Sequence, residues 1–459
     1  MRQLRAPNKH LLAVLLTAAV LAVPALAAAD DWPMFQHDER HTGVSQDSRI
    51  SVPMRQAWTF ATNGPIRVQP VVKDGVVYFG SCDQKFYAVS AATGELRWRY
   101  FTDGEVMSTA AVGDDGAVYF GCDDGYVYAL DAKSGELKWK SPVRRTPPPP
   151  VPASRYIKSE QPLIPPWSAD GPMAIAGFAK LTHQVVRSPV LVAGGMVFVG
   201  TGLPGSWGHL HGFDAKTGRL CWTRPSSVQG TYRVFGGVEN GPVMYRGTLF
   251  WPEYLIEALD PYSGRAVPGW PEPLLYRVGS GAFSFSSQIA VSPEGLAVAF
   301  VYARHYPHSG HPAKWQVVDL FDNSIRFAER MGGTRPQLEQ SPIVNGSKIY
   351  FVLMEAKTKS HPALACYDLL TGKWLAGFDQ PDGRPFNGCL ALAGETLFGV
   401  TQDGIIYAFK VGAAGGELEK IWTHDLKTAV FASGAIAGGT YFIGAEDGKL
   451  YALLKESGK

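Results

Sequence analysis

Three histidines, His305, His308 and His311, stand three residues apart in Arg304-His305-Tyr306-Pro307-His308-Ser309-Gly310-His311. Imidazoles at that spacing are able to share a transition metal, with His209 or His211 as a further donor from a comparable loop. A loop holding Pro and Gly does not fix their geometry, so the spacing equally describes exposed polar residues, and no metal site is assigned on it. Five cysteines in an oxidising compartment would leave at least one thiol free. Cys82 and Cys122 are the candidate disulfide. Arg187, Arg233, Glu239-Asn240, Gln340 and Asn387 form a third set, able to orient a small ligand or simply to hold backbone and water. No Cys-x-x-Cys-His for haem occurs, and no paired-carboxylate signature of a glycosidase stands out.

The elements that must position these residues follow from an internal repeat. Residues 76–98 read VVYFGSCDQKFYAVSAATGELRW and residues 117–139 read AVYFGCDDGYVYALDAKSGELKW, one unit 41 residues apart; a third copy with a longer central loop fills 196–222. Each unit reads as a four-stranded antiparallel meander: Val71-Val72, Val76 to Gly80, Phe86 to Val89, and a fourth strand ending at Trp98. Gly94, Gly135 and Gly218 stand where the last hairpin needs a positive φ. Asp131 and Asp214 precede Ser134 and Thr217 by three residues, the spacing of a carboxylate that accepts backbone N–H bonds in a turn. Aligned on Gly80 and Gly121, Cys82 and Cys122 fall one position apart in equivalent loops of adjacent units.

Weaker copies begin at Gly241, Ser287, Ser341, Gly388 and Ser433, and the unit through Asp319 has lost its turn glycine. The eighth stops after its third strand, Lys449 to Leu454. Gln56-Ala57-Trp58-Thr59-Phe60, near the other end of the chain, is the natural fourth strand. The composition agrees: 51 Gly and 33 Pro in 459 residues favour many tight turns over long helices, and 23 Phe, 19 Tyr and 12 Trp with 18% charged residues exclude a disordered chain.

The Asp-x-x-(Ser/Thr)-Gly-x-x-x-Trp endings Asp131 to Trp139 and Asp214 to Trp222 resemble the pyrroloquinoline quinone (PQQ) type β-propeller repeat. The resemblance implies an all-β, eight-bladed propeller over residues 50–459, closed by an N-terminal strand, with Trp58, Trp98, Trp139 and Trp222 docking on the neighbouring blade. Asp31-Trp32-Pro33-Met34-Phe35 looks like the N-terminal segment of exported members, which sets 30–49 apart. Quinoprotein dehydrogenases of this type carry Gly-Thr-Gly-Asn-Pro-x-x-Trp, whose Asn is a Ca²⁺ ligand. Here Gly200, Thr201, Gly202, Leu203, Pro204 and Trp207 form a degenerate version, and a leucine offers a hard cation no oxygen. The paired cysteines and the catalytic Asp segment of those enzymes have no counterpart. The expectation is therefore a non-catalytic binding or scaffold propeller with no cofactor. PQQ with Ca²⁺ in a dehydrogenase is the alternative, and a role like that of the outer-membrane β-barrel assembly propeller is another.

Residues 1–29 carry Arg2, Arg5 and Lys9, the apolar run Leu11 to Val23, and small residues ending at Ala29, the pattern of a secretory signal peptide. No Cys stands at its end to take a lipid. The whole chain is formally +2, but beyond these residues it has 40 basic against 41 acidic side chains. A near-neutral mature protein has no basic field for nucleic acid, and no later stretch is apolar enough to span a bilayer. A periplasmic or secreted monomer is expected, meeting a protein or envelope component through loops on the face of the ring that carries the second-to-third-strand connections. The Pro-rich insertion at 141–187, with Pro147 to Pro150 in a row, lies on that face.

Overall fold

The computed structural model describes residues 31–143, 185–202, 209–225, 240–252, 256–270, 283–285, 288–303, 314–330, 341–352, 363–380, 384, 386–412 and 417–456. No helix occurs among them, and none is long and apolar enough to cross a membrane. Eight sheets follow one another along the chain, antiparallel except where Val44–Ser45 pairs parallel with Phe386–Ala393. Blade 1 is Val71–Lys73, Val76–Ser81, Lys85–Ser90 and Leu96–Phe101, each strand paired with the next. Its outer strand runs three residues past Trp98.

Blade 8 contributes Ala435–Ala437, Thr440–Gly444 and Lys449–Lys455, and Met54–Ala61 pairs antiparallel with the last of these. Ring closure by the N-terminal strand is thus present, eight residues long. Blade 4, among the described residues, has three strands and a single bridge from Leu259 to Ala266. In blade 5 the turn that lacks glycine puts Asn323 at φ 57°, the left-handed region asparagine tolerates best among side-chain residues.

Two repeated contacts weld the blades. In the first, the outer strands of blades 1, 2, 3, 7 and 8 carry a bulge just before their tryptophans, as where Leu96 faces Val89 but Trp98 faces Ala88. The indoles of Trp58, Trp98, Trp139 and Trp222 lie on Gly94, Gly135, Gly218 and Gly264 of the following blade, where a Cβ would stand 2.5–2.6 Å from indole carbons. Their Nε1 atoms donate to the carbonyls of Ala91, Ala132, Ala215 and Pro261 at 2.8–3.1 Å. Glycine is needed there twice over, for the indole and for φ between +65° and +75°. Asp131 accepts from the Ser134 amide at 2.8 Å and Asp214 from Thr217 at 2.8 Å, holding those turns.

The second contact joins the end of one blade's second strand to the start of the next blade. Gly80, Gly121 and Gly444 receive the side chains of Val106, Val186 and Ile66, leaving no room for a methyl group. Beside each glycine a backbone N–H crosses the interface: Ile66 to Ala445, Val106 to Ser81 and Val186 to Cys122, at 3.0, 3.2 and 3.3 Å. Aromatic side chains fill the space outside, as where Phe86 stacks on Phe120 with centroids 4.1 Å apart.

Candidate functional site

The axis of the ring is where propellers present converging groups, and here the chain occupies it with its own N-terminal segment. Inner strands have no further strand of their own blade beside them, so their edge N–H groups need acceptors. The carbonyls of Trp32, Pro33, Glu39, Arg40, Thr42 and Gly43 accept from Val72, Val112, Met244, Val291, Val344 and Leu392 at 2.8–3.2 Å. Those six residues occupy one repeat position in blades 1, 2, 4, 5, 6 and 7. Met34 packs on the apolar core of blade 3, and Asp47 accepts from Gly439 of blade 8 at 2.6 Å, so the segment visits the ring in order.

Its side chains fill the channel. Gln36 and Gln69 are buried and hydrogen-bond each other, and Gln36 reaches across to the Leu390 carbonyl. His41 is fully buried, its ring bonded to the Ile289 carbonyl, and burial pushes its pKa down to about 4 against a weaker pull from Asp38. Above this plug the polar blade starts bond to one another. Gln69 N–H donates to Thr109 Oγ1, Gly241 N–H to Gln288 Oε1, Ser341 N–H to Cys389 Sγ, and Cys389 N–H to Ser433 Oγ. Asn240 and Asn387 donate to the Pro252 and Val430 carbonyls. These amides and hydroxyls hold backbone.

At the rim of the loop face, a pair of side chains follows each crossing backbone bond. Arg67 of blade 1 makes a two-pronged ion pair with Glu446 of blade 8, both contacts at 2.7 Å. Arg187 of blade 3 pairs in the same way with Asp123 of blade 2, and both are buried. Between them, Met107 of blade 2 meets Cys82 of blade 1, sulfur to sulfur at 3.3 Å. Residues 67, 107 and 187 occupy one repeat position and 446, 82 and 123 another, a correspondence that the cysteine alignment alone does not show.

The Cys82–Cys122 bridge is not made. Both are free thiols, Cys82 turned to Met107 and Cys122 to the Glu105 carbonyl. The physical reason is the one-position offset, which points Cys82 across the interface and Cys122 into its own blade's packing. Of the quinone-type segment, Gly200, Thr201 and Gly202 are described. Gly200 N–H donates to Ser188 Oγ, and the buried Thr201 hydroxyl lies 2.9 Å from His211 Nε2. His211 is held between Thr201 and Thr223, and burial, with His209 second, pushes its pKa down to about 3. A hydroxyl committed to a neutral imidazole inside the blade does not fit a Ca²⁺ ligand set, and no three His, Cys, Asp or Glu side chains among the described residues converge on a metal position. Leu203, Pro204, Trp207, Arg233, Glu239, His305, His308, His311, Gln340 and the stretch 144–184 lie outside the described residues.

The opposite face, which carries the first-to-second-strand turns, has a pocket of about 940 Å³ between the N-terminal segment and blades 1 to 3. Asp38, Glu39, Asp47 and Asp114 line it. Most of this charge is answered within the fold: Asp114 by Lys73 at 2.6 Å, Asp47 by Arg49 at 2.8 Å and Asp38 by Thr42. Glu39 is exposed, as Asp114 is, and its pKa is raised by partial burial and then by Asp38.

Comparison with known proteins places this architecture. A family model described as outer membrane protein assembly factor BamB matches residues 54–157. The dehydrogenase subunit of a quinone alcohol dehydrogenase from Acetobacter aceti is 25% identical over 412 residues, 82% of this chain and 51% of the relative. Quinoprotein alcohol dehydrogenase PedH from Pseudomonas putida is 24% identical over 422 residues, 83% of this chain and 64% of the relative. The chain therefore spans between half and two thirds of the length of these curated relatives. Among solved structures, BamB from Moraxella catarrhalis superposes with a TM-score of 0.61 at 14% identity, over 88% of this chain and 100% of that one. Quinohemoprotein alcohol dehydrogenase from Comamonas testosteroni gives 0.64 at 16%, over 94% and 82%. At these identities the structural likeness is one of fold. By fold the chain is an eight-bladed β-propeller, and its repeat is similar to that of PQQ-like propellers.

Proposed function

We propose that the chain is a non-catalytic binding or scaffold module of the cell envelope, exported behind residues 1–29 and using its rigid ring to present loop-face segments to a protein partner. The observation that carries this reading is the axis. Its polar groups are spent on the N-terminal segment and on neighbouring blades, and Thr201 is spent on His211, so the described residues offer no converging donor set for a quinone and its metal. The match of the first blades to the assembly-factor model favours a protein partner in the envelope.

A second reading, a PQQ-dependent dehydrogenase with rearranged ligands, is favoured by the two curated relatives, whose similarity runs over most of this chain. One titration separates the two. Purified protein is mixed with PQQ and Ca²⁺, and the quinone absorbance is followed together with alcohol-dependent dye reduction. The scaffold reading expects neither saturable binding nor dye reduction; both together would overturn it. Affinity capture from envelope extracts, with the full chain and with a chain lacking 144–184, then tests the loop face, and equal recovery of partners by both chains removes that insertion from the binding surface.

A further inference from the structure

Three successive blade interfaces share one geometry, and the middle one has different chemistry. At blades 8/1 and 2/3 the residue after the crossing backbone bond is an arginine, and it meets a carboxylate in the loop between the second and third strands. At blades 1/2 the same two positions hold Met107 and Cys82. The backbone around both sulfurs is fixed on each side: Cys82 N–H donates to the Pro65 carbonyl at 2.9 Å, and Val106 N–H donates to Ser81 at 3.2 Å. Both side chains are half-buried at the rim of the loop face, where a solute can reach them.

We infer that Cys82 and Met107 form a binding site for a soft monovalent d¹⁰ cation, Cu(I) in the first instance. A thiolate and a thioether are the soft ligand types that favour such an ion over the hard cations. Cu(I) is satisfied by two or three donors, which suits a site of two sulfurs with one carboxylate, Glu105, next to the thiol. Binding replaces the thiol proton, which leaves to solvent as the metal–sulfur bond forms. Met107, an unbranched side chain with three rotatable bonds, supplies the adjustment that lets an ion enter between the sulfurs. Glu105 lies beside the thiol, and the Arg67–Glu446 pair stands on the other side. Nothing in this inference depends on whether the propeller is catalytic.

Anaerobic titration of the reduced full chain with Cu(I)–bicinchoninate tests it. The wild type is expected to withdraw one equivalent of Cu(I) from the chelator. Cys82→Ser abolishes that uptake, Met107→Leu weakens it at least ten-fold, and Cys221→Ser, which alters the other partly exposed thiol, leaves it unchanged. The double variant Cys82→Asp/Met107→Arg rebuilds the ion pair of the flanking interfaces. It is expected to melt like the wild type and to take up no Cu(I), which separates a lost ligand from a lost fold. No withdrawal by the wild type, undiminished uptake by Cys82→Ser or by the double variant, or unchanged affinity of Met107→Leu would each overturn the assignment.

Discussion

Two single residues carry consequences that a contact map would understate. Gly121 has no side chain because Val186 of the next blade occupies that space. Its neighbours are strand and packed core, so Gly121→Ala forces an overlap rather than a small shift, and a cost of about 1–3 kcal/mol is expected. A chemical denaturation midpoint equal to wild type would contradict it. His41 acts through protons. Its pKa is about 4 in the fold against an ordinary value near 6.5, because burial disfavours the imidazolium. The unfolded chain therefore binds the proton first as the pH falls, and stability drops between about pH 6.5 and pH 4, with no effect above that window. His41→Asn keeps a residue tolerant of φ 56° and cannot titrate there. Between pH 7 and pH 5 the wild type is expected to lose about 2 kcal/mol more than this variant in parallel urea titrations; equal losses would show that His41 is not the sensing group. Burial of His211 acts in the same direction in both proteins and cancels in the comparison.

Among elements, the outer strand with its bulge and tryptophan is the unit that sets blade against blade. Trp139 is 8% exposed, its indole covering Gly218 and bonded to the Ala215 carbonyl. Trp374 of the sixth repeat falls two residues short of that place, in the register of Leu96 and Leu137, with Ala376 at the docking position, and it is 43% exposed. The same residue type thus has two energies, set by its register on the outer strand. Trp139→Ala is expected to cost about 3–5 kcal/mol, as for other buried large-to-small changes, whereas Trp374→Ala stays within about 1 kcal/mol of wild type. Similar melting shifts for both would mean that the docking contact adds nothing. The N-terminal segment is the other decisive element, supplying six carbonyls to six inner strands, each bond contributing about 0.5–1.5 kcal/mol net.

For the whole molecule, closure is the controlling event. Contacts in a propeller run from each blade to the next, so an open ring leaves two unsatisfied blade surfaces. Met54–Ala61 prevents this by completing blade 8, while Trp58 on the same strand docks on Gly94 of blade 1. A chain lacking residues 54–61 keeps the three remaining strands of blade 8 with a bare edge. It is expected to elute as oligomers or aggregate on gel filtration. A monomer with the wild-type melting temperature would show that closure by this strand is dispensable.

Much of this architecture is written in local sequence. Strand alternation, the turn glycines Gly94, Gly135 and Gly218, and the Asp131 and Asp214 turns are short-range features, so blade count and closure were legible before any coordinates. Asn323 stood in for a missing glycine, a substitution that local φ preference permits but does not announce. What the sequence did not reveal lies between blades and on the axis. The path of residues 31–49, the burial of His41 and Gln36, and the Cys82–Met107 contact join residues far apart in the chain, and only the closed ring brings them to one place. Residue types fixed each blade because a blade is folded by near neighbours; the tertiary structure alone decided which side chains meet across an interface, because that depends on the register of one blade against the next.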